Sequence, residues 1–223
     1  MDRRDWLSER RAAVQATYDS EAPAYDDNPY PVETQKRFVE RLVATCPPGG
    51  IVLDAPCGTG RYFAQIAAAG RRVVGIDQSA AMLAQARARS IAVDLHHVGL
   101  QELDFEDEFD AAMTVDAMEN VFPEDWPAVL ANLRRAVRSG GYLYLTVEEV
   151  PETDLDEAFA ELSARRLPVV RGEVIEGDVA GYHFYPGRDQ VVRWIEAEGL
   201  NVVEHATEAL EDWGYWHLLL QMG

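Results

Sequence analysis

The 223-residue sequence predicts an α/β fold in which helices cover both faces of a mostly parallel β-sheet. Short apolar runs rich in β-branched residues alternate with helical patterns along most of the chain. Glycines and prolines separate these segments, as expected where strands turn into helices. Two further runs, residues 200–209 and 215–222, are separated only by a short turn, which predicts an antiparallel pair at one side of the sheet.

The predicted elements follow one another in a regular order. Seven strands are predicted at residues 51–53, 72–76, 91–97, 109–115, 140–147, 200–209 and 215–222. Helices are predicted at residues 1–17, 32–44, 61–70, 79–89, 127–138, 154–166 and 188–198. Residues 169–187 alternate in polarity around Gly177 and Asp178, which predicts a β-hairpin.

The chain length suits a single domain with a sizeable core. We therefore predict one domain over residues 1–223, without a linker or an internal repeat. Residues 1–45 would form an N-terminal helical cap. Residues 150–187, the least regular stretch, would form an insertion that covers the substrate.

The composition excludes several classes of protein. The formal net charge is −19 and the basic residues are scattered, which disfavours a nucleic-acid partner. No apolar run approaches the roughly 20 residues that span a bilayer, and the N-terminus lacks the apolar stretch of a secretion signal. Two cysteines allow at most one disulfide, and we expect both to be reduced in a cytoplasmic protein.

A glycine-rich turn follows the first predicted strand. Asp54 ends the strand, and Gly58 and Gly60 lead into a helix, which is the context in which such a loop holds a nucleotide-like ligand. Phe63 stands where a dinucleotide loop needs a small residue, and Asp54 would repel a pyrophosphate. A cationic ligand such as S-adenosylmethionine suits this acid better. Asp77 ends the next strand at the interval expected for an acid that binds ribose hydroxyls.

The segments LDAPCGTG and VVGIDQSAAML resemble the first two motifs of the class I S-adenosylmethionine-dependent methyltransferases. The order of elements is similar from Ile51 to the C-terminus. The resemblance implies a Rossmann-like, seven-stranded, mostly parallel sheet with helices on both faces and a C-terminal antiparallel strand. It also implies S-adenosyl-L-methionine as the cofactor.

The resemblance assigns cofactor contacts to positions of this chain. Asp54 and the backbone of Ala55, Gly58 and Gly60 would face the methionine portion, and the carbonyl near Val115 the ammonium group. The remaining predicted contacts are Asp77 and Gln78 at the ribose, Met82, Gly99 and Leu100 at the adenine, and Tyr25 from an N-terminal segment that folds over the cofactor. The acid that family members carry after the third strand is missing here; Gly99 stands in its place, and Gln101 is a candidate substitute.

Three residues are candidate general bases for an acceptor that must lose a proton: His183, Glu119 and Glu149. His183 leads because imidazole titrates near neutral pH and aromatic residues flank it. The alternatives are a packing histidine and two solvated glutamates. No metal site is predicted, since His96 and His97 lack a third ligand at a useful spacing.

The predicted function is methyl transfer to a small-molecule acceptor, on oxygen or nitrogen rather than carbon. One alternative is a protein-directed methyltransferase, because an acidic face attracts basic peptides. Another is a non-catalytic S-adenosylmethionine-binding regulator, since fold alone does not give function. A nicotinamide-dependent dehydrogenase is disfavoured by Asp54 and Phe63. The acceptor and the oligomeric state stay open.

Overall fold

The structure is a computed structural model that describes residues 2–27, 33–176 and 181–223. Its strands are β1 (Ile51–Asp54), β2 (Arg72–Asp77), β3 (Asp94–His97), β4 (Phe109–Thr114), β5 (Val137–Glu149), β6 (Glu173–Glu176), β7 (Gly181–Phe184), β8 (Leu200–Ala209) and β9 (Gly214–Met222). Its α-helices are α1 (Arg3–Glu21), α2 (Glu33–Thr45), α3 (Phe63–Ala68), α4 (Ala80–Ala88), α5 (Trp126–Ala136), α6 (Glu152–Ala164) and α7 (Arg188–Ala197). Short 3₁₀ helices cover Ala22–Asp27, Leu100–Glu102 and Met118–Asn120.

Seven strands form one sheet in the order β3-β2-β1-β4-β5-β9-β8. The first five pair in parallel, and β9 runs antiparallel between β5 and β8. This confirms the predicted mostly parallel sheet with a C-terminal antiparallel strand. The strand order reverses between β1 and β4, and such a switch point opens a crevice at the carboxyl ends of the strands.

Helices cover both faces of the sheet, as predicted. Successive side chains of a strand point to opposite faces, so Val52 joins one apolar cluster and Leu53 the other. The Val52 cluster includes Phe38 of α2 and Phe63 of α3, and the Leu53 cluster includes Leu130 of α5. A strand buried on both faces therefore needs the continuous apolar run that the sequence shows at this point.

Several predicted boundaries move in the structure: β3 begins at Asp94 and not at residue 91, and the ends of α3 and α6 are also displaced by about two residues. Strand β5 begins at Val137, three residues before the predicted start, because Val137 already pairs with Phe109 of β4. The pairing shifts register before Ala111, and Gly140 adopts a positive φ of 75°, so the glycines form an irregularity inside the strand. Helix α1 extends to Glu21, beyond the predicted end at residue 17.

The hairpin of β6 and β7 forms where alternation predicted it. Its predicted turn at Gly177 and Asp178 lies outside the described residues. Helix α1 packs on β7, and the Trp6 and Tyr182 rings meet edge to face with centroids 5.9 Å apart. The N-terminal segment is thereby attached to the hairpin.

A buried carboxylate stabilises the contact between α1 and the hairpin. Glu173 is fully buried and accepts hydrogen bonds from Arg3 Nη1 (2.7 Å) and Nη2 (2.8 Å), from Tyr182 Oη (2.7 Å) and from the Val170 amide (2.7 Å). Arg3 also pairs with Glu124, whose side chain is 48% exposed. One glutamate therefore joins α1, the hairpin and the loop before it.

We predict that Glu173→Ala lowers the free energy of unfolding by about 3 kcal/mol, because it leaves a partly buried arginine and a buried tyrosine hydroxyl without this partner. Glu124→Ala removes the exposed half of the same network and should cost about 0–1 kcal/mol. Urea unfolding of both variants measures the difference. Equal losses of unfolding free energy in the two variants would show that the buried Glu173 carboxylate stabilises the contact no more than the exposed Glu124 does.

Candidate active site

A cleft lies at the carboxyl ends of β1, β2 and β4, on the switch point of the sheet. It encloses about 1020 Å³ when its open mouth is included. Its lining includes Asp54, Gly58, Asp77, Gln78, Met82, Gly99, Leu100, Val115, Asp116 and Asn120, together with Arg11, Val14, Tyr18 and Tyr25 from the N-terminal segment. The fold thus brings most of the predicted cofactor residues to one place.

The glycine loop after β1 needs its glycines for conformation and for space. Gly58 and Gly60 have φ angles of 52° and 79°, in the left-handed region that favours glycine. A Cβ at Gly60 would lie 2.5 Å from the Phe63 ring, so the aromatic residue packs directly against the loop. The Cys57 amide donates to the Ile76 carbonyl at 2.7 Å, which fastens the loop to β2.

Asp54 presents a buried and unsatisfied carboxylate at the floor of this cleft. The residue is 2% exposed, and its Oδ2 has no hydrogen-bond partner. Burial raises the pKa of this carboxyl well above its usual range, and the nearby charge of Asp77 raises it further. An unpartnered buried acid fits a cationic ligand group, since such a group would supply the missing donors and charge.

Asp77 organises the loop and the next helix together. Its Oδ2 accepts the Gly58 amide at 2.9 Å, and its Oδ1 accepts the Ser79 amide at 2.8 Å. Ser79 in turn caps α4 by accepting the Met82 amide at 3.0 Å, as the sequence predicted. Burial raises the pKa of Asp77, and these two amide bonds oppose the rise.

The opposite wall holds the predicted adenine residues. Met82 is 1% exposed and lines the cleft, together with Gly99, Leu100 and Gln101. Asn132 Nδ2 donates to the Leu100 and Gln101 carbonyls, both at 3.1 Å, and so fixes this turn. Backbone rather than an acidic side chain therefore forms this wall at Gly99.

The N-terminal segment closes over the cleft. Tyr18 and Tyr25 line it with their rings edge to face, 6.2 Å apart. Ser79 Oγ donates to Asp19 at 2.6 Å, and Thr59 Oγ1 donates to Asp26 at 2.9 Å. The segment that carries both tyrosines is thereby bound to the rim of the glycine loop and to the start of α4.

The end of the cleft beyond β4 is rich in acids. Asp116 has a positive φ of 55°, which is uncommon for a residue other than glycine, and its Oδ1 accepts a hydrogen bond from the Tyr215 hydroxyl. Glu119 is only 5% exposed; its Oε1 accepts Asn120 Nδ2 at 3.0 Å, and its Oε2 has no partner. Burial raises the pKa of Glu119 well above its usual range, and the charges of Asp116 and Glu148 add to the rise. Glu119 is therefore not the solvated acid of the alternative interpretation.

The structure separates the other two candidate bases. His183 Nδ1 lies 3.1 Å from the Tyr185 hydroxyl, outside the lining of the cleft but near enough to Asp116 for its charge to lower the pKa of that acid. Glu149 accepts two hydrogen bonds from Arg188, each 2.6 Å, and borders a different groove. Its neighbour Glu148 borders the same groove but also lies beside Asp116, because side chains alternate along β5.

Sequence reasoning missed several residues of the cleft. Arg61 lines it and places its guanidinium 5.8 Å from the centre of the Tyr25 ring, and Tyr215 reaches Asp116 from β9. Arg11 and Val14 come from α1. The position of Arg61 next to the glycine loop was the one available signal, because the others depend on contacts between distant parts of the chain.

The comparisons with known proteins agree with this geometry. The methyltransferase-domain family matches residues 52–141, from β1 into β5. A demethylmenaquinone methyltransferase of Clavibacter sepedonicus is 26% identical over 214 residues, 89% of this chain and 86% of the relative. A malonyl-[acyl-carrier protein] O-methyltransferase of Serratia marcescens is 31% identical over 161 residues, 70% of this chain but only 61% of the relative.

A solved structure shows the same fold over nearly the whole chain. The 1,6-didemethyltoxoflavin-N1-methyltransferase of Burkholderia thailandensis, with bound S-adenosylhomocysteine, has a TM-score of 0.71 at 16% identity and covers 95% of this chain and 88% of its own. The sheet order, the glycine loop with its two acids and the family match lead to one conclusion. The chain carries a methyltransferase domain over residues 52–141, and its fold and relatives support a class I S-adenosylmethionine-dependent methyltransferase.

Proposed function

We propose that this enzyme methylates an oxygen or nitrogen atom of a small molecule bound at the acid-rich end of the cleft. The observation that carries the proposal is a set of titratable side chains there: Asp116 lines the cleft, and Glu119 and His183 lie close to it. A hydroxyl or protonated-amine acceptor has a proton to lose, whereas a site without such groups would suit a nucleophile that needs no base.

A small acceptor is supported by the packing of helix α1 and the β6–β7 hairpin beside the cleft. Helix α1 and the hairpin pack together through Trp6 and Tyr182, and the Tyr18 hydroxyl of α1 accepts a hydrogen bond from Asn120 Nδ2 at 3.0 Å at the same end of the cleft. The two relatives named above act, by their names, on demethylmenaquinone and on malonyl groups of a carrier protein. The formal charge of −19 gives no support to a nucleic-acid substrate.

S-adenosylmethionine, when bound, supplies a methyl group on a sulfonium that is already a good electrophile. The residues that would hold it are Asp54, Ala55, Gly58 and Gly60 at the methionine portion, Val115 at the ammonium, Asp77 and Gln78 at the ribose, Met82, Gly99 and Leu100 at the adenine, and Tyr25 above. Catalysis by the chain then consists mainly of positioning and of excluding water.

We assign removal of the acceptor proton to His183. Tyr185 engages Nδ1 and holds the ring, and the carboxylate of Asp116 lies near enough to stabilise the imidazolium that forms. Glu119 is the weaker candidate, because burial raises the pKa of its carboxyl and a carboxyl that already holds a proton cannot accept another. Glu149 is held by Arg188 beside another groove, and we assign it no part in the reaction.

The proposal is tested by S-adenosylhomocysteine formation with a panel of acceptors: phenols, carboxylic acids, amines, thiols, enolisable carbon acids and a malonyl thioester. We expect turnover with an oxygen or nitrogen acceptor, and His183→Gln should lower kcat at least tenfold while cofactor affinity is retained. Turnover only with a carbon or protein acceptor would overturn the assignment, and cofactor binding without any turnover would favour a regulator.

We predict that Asp77→Asn weakens cofactor binding about tenfold to hundredfold, because it removes a charged hydrogen-bond acceptor from the cleft. Asp94→Asn is the matched control, an acid on the neighbouring strand whose side chain is 73% exposed. Calorimetric titration with S-adenosylmethionine measures both. Equal affinities for the two variants would remove Asp77 from the cofactor site.

We predict that Asp54→Asn stabilises the ligand-free protein at neutral pH while it weakens cofactor binding. Burial raises the pKa of Asp54 in the folded state above its unfolded value of about 3.9, so folding favours the protonated acid. The stability contributed by that proton is present below pH 4 and is lost as the pH rises through the folded pKa.

Urea unfolding between pH 5 and pH 8 measures this effect. The stability of Asp54→Asn relative to the wild type should increase with pH, whereas that of Asp94→Asn should stay level. A constant difference between Asp54→Asn and the wild type at every pH would mean that Asp54 does not titrate in this range.

A further inference from the structure

Three carboxylates from two stretches of the chain meet beside the acceptor end of the cleft, where Asp116 lines the cleft and Glu148 borders the neighbouring groove. Asp116 follows β4, Glu119 lies in the 3₁₀ helix of residues 118–120, and Glu148 is near the end of β5. One oxygen of each lies within 4.8 Å of an oxygen of the other two. The sequence predicts no metal site, and Glu148 reaches the other two acids only through the pairing of β5 with β4.

One of the three side chains is built for a ligand that the chain itself does not supply. Glu119 is only 5% exposed. Its Oε2 atom is inaccessible to solvent and has no hydrogen-bond partner. The neighbouring donors act on other oxygens, since Asn120 donates to Oε1 of Glu119 and Tyr215 donates to Oδ1 of Asp116. A buried acceptor left in this state costs free energy until a cation or a donor reaches it.

We propose that Asp116, Glu119 and Glu148 bind a divalent cation of the Mg²⁺ or Mn²⁺ type. Such ions take carboxylate oxygens at about 2.1 Å, so ligands on opposite sides of the ion lie at most about 4.2 Å apart. The fold alone brings the three oxygens within 4.8 Å of one another, a limit slightly wider than a bound ion would allow. An all-carboxylate set selects hard cations and disfavours zinc or copper, which prefer nitrogen and sulfur.

The place of the cluster suggests what the cation does, and this step rests on the proposed function. Asp116 lines the cleft that holds the cofactor residues, so a cation on it would lie at the acceptor end. A bound divalent cation binds an oxygen of the acceptor directly and lowers the pKa of a hydroxyl there. The acceptor class would therefore be a molecule with a hydroxyl or carboxylate oxygen free to bind the ion.

The test is titration of the purified full chain with Mn²⁺, followed by electron paramagnetic resonance. We expect one site per chain, weakened at least tenfold in both Glu119→Gln and Glu148→Gln. Glu106→Gln, at an exposed acid outside the cluster, is the matched control and should bind as the wild type does. The control is needed because an acidic chain also attracts cations weakly over its surface.

The same samples are titrated with S-adenosylmethionine, so that failure of the metal site and failure of the cofactor site are distinguishable. Retained cofactor affinity in Glu119→Gln and Glu148→Gln would show that both variants fold. Equal Mn²⁺ binding by the wild type and both variants, or no binding at millimolar Mn²⁺, would overturn the site. Methyl transfer that is unchanged by a chelator would overturn the role of the cation at the acceptor.

Discussion

The carboxylate of Asp77 joins the parts on which the cofactor end depends. It closes β2, receives the amide of Gly58 from the glycine loop and receives the amide of Ser79 at the start of α4. The glycine loop, β2 and the start of α4 are therefore fixed to one another by two hydrogen bonds to a single buried acid. The loop can then keep its left-handed glycines in place without help from a ligand.

This arrangement concentrates negative charge where the chain has few compensating groups. Asp54, Asp77 and Glu119 are almost fully buried, and burial is the leading cause of the raised pKa in each of them. Groups of this kind destabilise a ligand-free protein, because desolvated carboxylates repel one another and lack partners. The buried acids of the cleft therefore lower the stability of the fold and are retained for binding, a common relation at functional sites. The buried contacts of Trp6 and Glu173 are among those that offset the loss.

The cofactor end could be predicted from the sequence because its parts are local. Gly58, Gly60 and Asp77 all lie within 27 residues that run from β1 to the end of β2, and each has a recognisable position in that unit. Helix α1 and the β6–β7 hairpin were predicted only as separate elements. Their contact through Arg3 and Glu173 joins residues 170 positions apart, and no periodic pattern encodes such a contact.

The acceptor end could not be predicted for a related reason. On β5 the sequence offers two adjacent glutamates, and only the pleat of the strand decides that Glu148 joins Asp116 while Glu149 turns to Arg188. A shift of β5 by one residue against its neighbours would exchange the two. Antiparallel pairing with β9 sets Glu148 opposite Tyr215, and the Tyr215 hydroxyl donates a hydrogen bond to Asp116.

The two ends of the cleft therefore come from different parts of the chain. The cofactor end is built by β1, β2 and the loops between them, whereas the acceptor end also needs β5, β9 and the hairpin. Changes in the later elements can alter the acceptor surface while the bonds of Asp77 stay intact, because those bonds join Gly58 and Ser79, which lie outside the later elements. A fold organised in this way keeps one cofactor and admits many acceptors, so the chemistry of the acceptor must be argued from Asp116, Glu119 and Glu148 rather than from the fold.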